Sequence, residues 1–131
     1  MKLKTLFLIC SLGLFINSCS NAPKLSEGMI KIVIMYPNAN TNTFNMDYYS
    51  NTHMPMLAEL FGDALKHYSI EGGISGRTAE EPAPYMAVGH LYFNTLEDYQ
   101  EGFGKHAETI LNDIPNYTNI KPVVQISKVV K

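Results

Sequence analysis

Met29-Ile30-Lys31-Ile32-Val33-Ile34-Met35-Tyr36 is a continuous β-branched and apolar run. Such a run reads as a strand buried on both faces, not one that alternates between core and water. A small domain can cover one face of a sheet with its own helices. The second face then needs another cover.

Moving toward the C-terminus, Pro37 to Thr43 is an Asn-rich loop. Asn45 is a plausible N-cap with Asp47 in the first turn, so a helix is expected from there to about Phe61, ended by Gly62. Met46, Tyr49, His53, Met56, Leu57 and Leu60 form its apolar stripe. Pro55 lacks an N–H and its ring clashes with the carbonyl of Asn51, which predicts a kink beside His53. Leu65 to Ile74 reads as a second strand with glycines at its far end, and Arg77 to Pro84 as an exposed turn. Tyr85 to Phe93 is a third strand, with Val88, His90 and Tyr92 on one face and Ala87, Gly89, Leu91 and Phe93 on the other. A capping box, Asn94 with Glu97 or Thr95 with Asp98, opens a second helix. Its stripe is Leu96, Tyr99, Phe103, His106, Ile110 and Ile114, and Pro115 stops it. Ile120 to Val130 is the last strand, with Pro122 near its start.

The order β-α-β-β-α-β specifies an α+β, ferredoxin-like domain. Two helices on one face of a four-stranded sheet leave the other face bare. Since the first and third strands are apolar on both faces, a second copy packed sheet to sheet is expected, giving a homodimer.

Moving toward the N-terminus, residues 20–28 are polar and read as a tether. Residues 1–19 read as a secretory signal: Lys2 and Lys4, then an apolar run from Thr5 to Ile16 that falls short of the roughly 20 residues a membrane span takes. Ile16-Asn17-Ser18-Cys19 resembles a bacterial lipobox, although Asn17 is large for its position. Cys19 is the expected lipidation site, and an anchor in the bacterial cell envelope follows. Ser20 stands where an inner-membrane retention signal would carry Asp, which favours the outer membrane. Cys10 would leave with the signal, so residues 29–131 contain no cysteine for catalysis, disulfides or metal.

The formal charge of -2 over 131 residues, with no basic run, argues against nucleic-acid binding. No glycine-rich loop follows a strand and opens a helix, so no built-in dinucleotide site is visible and no cofactor is expected. No close histidine pair gives a metal spacing. Histidine is the side chain suited to proton transfer near neutrality, and there are four. Tyr49 and His53, four apart, share the inner stripe of the first helix. Tyr49, His53 and His106 are the candidate catalytic residues, and His90, Tyr92, His67 and Met56 the candidate substrate contacts. An ordinary core with satisfied histidines accounts for the same pattern. Asp113, in the Asn112-Asp113-Ile114-Pro115-Asn116-Tyr117-Thr118 turn, reads as capping backbone groups there rather than orienting an imidazole.

The segments DYYSNTHMP and FGKHAETILNDIPNYTNIKPVVQIS resemble the EthD family, over residues 29–129. That resemblance implies a dimeric α+β barrel and a cavity between sheet and helices for small, flat, hydrophobic molecules. It aligns His53 and His106 with histidines of the family. Members are often called oxidoreductases, and superfamily relatives include isomerases, cyclases and cofactor-free monooxygenases. A lipobox departs from a cytoplasmic degradation role. The expectation is therefore a cofactor-free oxidoreductase, isomerase or cyclase using histidine acid–base chemistry on a small hydrophobic molecule. The alternatives are an envelope lipoprotein that binds an apolar ligand without catalysis, and a structural dimerisation module.

Overall fold

The computed structural model describes residues 25–131. The signal segment, Cys19 and most of the tether lie outside the described residues. Four antiparallel strands, β1 (Ile30–Pro37), β2 (Leu65–Gly72), β3 (Tyr85–Phe93) and β4 (Val123–Lys128), form one sheet in the order β2-β3-β1-β4. The helical segments α1 (Met46–Tyr48), α2 (Met54–Phe61) and α3 (Leu96–Asp113) complete the ferredoxin-like arrangement. Among the described residues no helix is long and apolar enough to cross a membrane.

The register divides the sheet into two faces. Ile32, Tyr36, Ala87, Leu91 and Phe93 join Leu57, Phe61 and Ile110 in the core under the helices. Lys31, Val33, Met35, His67, Glu71, Val88, His90, Tyr92 and Gln125 share the opposite face, and no third layer of described residues covers it. On the helix side, Gly89 makes room for Tyr49. A Cβ at position 89 would collide with the Tyr49 hydroxyl, so the ring lies directly on the strand backbone.

The first helix is not one kinked rod. Asn45 caps α1 through its side-chain oxygen, Tyr49–His53 forms a π turn, and Pro55 lies in the first turn of α2. An unbroken α-helix would drive the Pro55 ring against the carbonyl of Asn51. The wider turn, closed by the Met54 N–H on the Tyr49 carbonyl, moves that carbonyl aside. It also winds the chain more slowly. The buried stripe is therefore Tyr49, His53, Leu57 and Phe61, spaced by four throughout, with Met54 beside it. Met56 and Leu60 are only half-buried at its margin.

The capping box forms on Thr95 and Asp98, and both of its hydrogen bonds are present. Two strands are shorter than their sequence pattern. β2 ends at Gly72, and a Cβ on Gly73 would run into the Tyr85 carbonyl. β4 begins only after Pro122, because residues 114–120 turn back to hold the loop before α1.

Candidate functional site

The π turn points two rings inward. Tyr49 and His53 stack with centroids 5.6 Å apart and planes 19° from parallel, and both are buried. The end of α3 arrives from the other side. Asp113 is its last residue, and Pro115 then turns the chain through a 3-10 turn, Ile114–Asn116, so that Tyr117 faces His53. A carboxylate at a helix C-terminus is disfavoured by the helix dipole. Its position here is explained by what it accepts.

Asp113 Oδ2 lies 2.7 Å from His53 Nδ1, and Asp113 Oδ1 accepts from Tyr48 Oη (2.8 Å) and Asn116 Nδ2 (2.8 Å). These partners are side chains, so the reading of Asp113 as a cap for backbone groups does not hold. The contact assigns the tautomer. With Nδ1–H donating to the carboxylate, Nε2 presents its lone pair. That nitrogen faces the Tyr117 hydroxyl at a long 3.3 Å, and the Tyr117 hydroxyl is 2.7 Å from that of Tyr36. A chain therefore runs Asp113–His53–Tyr117–Tyr36 from the end of α3 to the middle of the sheet.

Burial dominates the electrostatics. It pulls the His53 imidazole below its usual 6.5, outweighing the hydrogen bond and charge of Asp113, so His53 is neutral at pH 7. Burial pushes the Asp113 carboxyl up, but the bonds from His53, Asn116 and Tyr48 together hold it below the ordinary carboxylate range. Tyr36, Tyr49 and Tyr117 are pushed well above the usual phenol value, first of all by burial. They remain protonated donors. Among the described residues Tyr49 Oη makes no well-aligned hydrogen bond, so Tyr49 contributes its ring, stacked on His53, more than its hydroxyl.

The other candidates lie elsewhere. His90, Tyr92 and His67 are on the open face of the sheet, so they do not share a cavity with His53. The β3 alternation puts His90 and Tyr92 on one face, as observed, but the helices cover the Ala87 and Gly89 face. His90 Nε2 is 3.0 Å from Glu71 Oε1, out of line for a hydrogen bond. His106 is half-buried on α3, beside Leu60, Ala64 and Lys105, away from the His53 chain. Met56 packs at the margin of the core. Tyr36, Tyr48 and Tyr117 join the site without having been candidates. The small pair Ala87 and Gly89 was the available signal: small residues on a strand mark the face that a helix or a large ring approaches.

Two concavities flank the chain of hydrogen bonds. Between sheet and helices is a pocket of about 100 Å³ walled by Ile32, Leu57, Phe61, Leu91, Phe103 and Ile110 among others. Leu57 is one turn past His53, and Ile114, also in the wall, follows Asp113; His53 itself is not in the wall. On the outside is a groove of about 610 Å³ that includes Phe44, Asn45, Asn116 and Tyr117.

A model of the EthD domain matches residues 41–121. No curated protein matches significantly. Among solved structures, the chain is 37% identical to an EthD-like protein from Ralstonia eutropha, over 81% of this chain and 96% of that one, with a TM-score of 0.77. An ethyl tert-butyl ether (EthD) family protein from Bacillus halodurans is 14% identical over 76% and 97%, at 0.55. A dimeric ferredoxin-like protein of unknown function from Thermobifida fusca is 14% identical over 81% and 95%, at 0.52, a likeness of fold.

Proposed function

The chain belongs to the EthD family, and on that premise we propose that it is an acid–base catalyst acting on a small hydrophobic molecule with an enolisable or phenolic oxygen. The observation that carries this reading is the Asp113–His53–Tyr117 chain, buried at His53 and Tyr117. Neutral His53 takes a proton at Nε2, and Asp113, bonded to Nδ1, stabilises the imidazolium that forms. The Tyr117 hydroxyl donates to the developing oxyanion on the substrate. Return of the proton to another atom of the substrate completes an isomerase- or cyclase-type turnover. Such proton transfer is worth about a hundred- to ten-thousandfold in rate. An oxidoreductase reaction would use the same step, with a co-substrate such as dioxygen accepting the electrons.

A network of this kind is costly as mere packing. Taking polar side chains out of water offsets much of what their hydrogen bonds return, so a histidine and phenols gathered against a carboxylate favour function over a structural role. The rival reading, a carrier that binds without catalysis, draws on the apolar pocket that does not include His53. Deuterium wash-in distinguishes the two. Cyclic monoketones and substituted phenols are incubated in D₂O with the protein and with His53→Gln. Exchange catalysed by the wild type and lost in the variant supports catalysis. Saturable binding of the same panel without exchange supports the carrier.

We also place this domain in a homodimer, packed through the open sheet face with its half-exposed Val33, Met35 and Val88. The description of the Thermobifida neighbour as dimeric supports a dimer. A lipid on Cys19 would hold the dimer at the bacterial outer membrane, since a diacyl anchor is stable where a single chain is marginal.

A further inference from the structure

His53 is only 3% exposed, so a substrate needs a route to it. The apolar pocket touches no member of the hydrogen-bonded chain. The outer groove touches one, Tyr117, and also Asn116, which donates to Asp113. Phe44 lines that groove and packs on the three rings that carry the buried hydroxyls. Its ring meets Tyr36, Tyr49 and Tyr117 edge-on, with centroids 4.8, 5.1 and 5.5 Å away. Phe44 sits on a short strap tied to residues 117–119. Thr43 N–H donates to Asn119 Oδ1, Asn119 Nδ2 to the Thr41 carbonyl, Thr118 Oγ1 to the Thr43 carbonyl, and Asn45 N–H to the Tyr117 carbonyl. These bonds lie at or near the surface, where opening is cheap compared with the core.

We propose that Phe44 is the gate of the site: a small neutral molecule in the outer groove reaches Tyr117 and His53 when the Phe44 ring swings out. The strap carries the ring, and the amides of Asn45, Asn116 and Asn119 flank the opening. None of the nine residues lining the groove is charged, so nothing there pairs with an ionic ligand. Behind Tyr117 stands the Asp113 carboxylate, held ionised, which repels an anion. The groove thus selects the neutral phenol or ketone over its conjugate base. The 3.3 Å contact between Tyr117 and His53 is the loosest link in the chain and the one an incoming oxygen displaces. The gate stands without catalysis; only the choice of ligand rests on the acid–base reading.

The test is acylation by diethyl pyrocarbonate, followed residue by residue by peptide mass spectrometry. His106, half-buried and remote from Phe44, serves as the internal reference. Wild type, Phe44→Ala and Phe44→Leu are compared, with p-cresol as the neutral probe. His53 is expected to react slowly in the wild type and about tenfold faster in Phe44→Ala, which loses three edge contacts. Phe44→Leu should fall between them, His106 should be unchanged, and p-cresol should protect His53. If Phe44→Ala does not fold, Phe44→Leu is read the same way. A folded variant whose His53 reacts at the wild-type rate overturns the gate. Faster acylation of His53 without protection by p-cresol overturns the choice of ligand. Faster acylation in a protein that shows no deuterium exchange leaves the gate standing and removes the catalytic reading.

Discussion

Asp113 Oδ2 and His53 Nδ1 lie 2.7 Å apart, although 60 residues separate them in the chain. The contact joins the end of α3 to the π turn before α2. It fixes the imidazole tautomer and turns the basic nitrogen toward Tyr117.

Removing the carboxylate should therefore act on both stability and acid response. Asp113→Ala leaves the buried Nδ1–H without an acceptor, at a cost of about 1–3 kcal/mol measured by urea denaturation. The wild type itself should weaken in mild acid. The folded pKa of His53 is below 6.5, so the native state resists a proton that the unfolded chain accepts. Its contribution is complete above that value and is lost as pH falls toward the folded pKa. The depressed Asp113 carboxyl contributes in the same sense, fully above the ordinary carboxylate value and lost at lower pH. His53→Asn keeps an amide donor for Asp113 but cannot titrate. Its melting temperature should fall less between pH 7 and pH 5 than that of the wild type; an equal or steeper fall counts against this account.

Gly89→Ala should disturb the site from the sheet side. The new methyl meets the Tyr49 hydroxyl, so the ring must leave its stack on His53. Overpacking of this kind costs about 1–3 kcal/mol. Tyr49→Phe removes the hydroxyl that collides and should rescue much of the loss. A double mutant no better than Gly89→Ala alone would place the strain elsewhere.

Residues 26–131 should sediment as a dimer at micromolar concentration. Half-exposed apolar side chains on the uncovered sheet face motivate this expectation. Val33→Lys, in the middle of that face, should yield monomers with the same circular dichroism. A well-folded wild-type monomer at that concentration would contradict it.

Cys19→Ala should release the protein from membranes or leave the precursor uncut, as seen by fractionation and intact mass. A processed form that stays on the membrane would remove the lipid anchor from the account.

Hydrophobic periodicity made most of the fold legible, because burial repeats locally. Tyr85–Phe93 and the Thr95–Asp98 box follow directly from the pattern. His53 was legible too: spacing by four from Tyr49 holds whether the turn between them is α or π. Asp113 was not, since its partner is chosen by where α3 ends against another helix. That is a tertiary fact, 60 residues away. His90 and Tyr92 do share a face, but it is the open one, away from His53. Alternation shows which residues share a face, and only Ala87 and Gly89 showed which face the helices cover. The π turn was foreshadowed by Pro55 as a disturbance, without the form it takes.

On this reading His53 is a neutral base that Asp113 holds in place. NMR titration of the His53 ring tests it most directly, using ¹³C-labelled histidine and His53→Asn to assign the signal. In the wild type the ring should titrate below the usual 6.5, with the proton of the neutral form on Nδ1. Asp113→Asn removes a charge that favours the cation, so it should lower the midpoint further. A wild-type midpoint at or above 6.5, or a midpoint that rises in Asp113→Asn, would contradict the account.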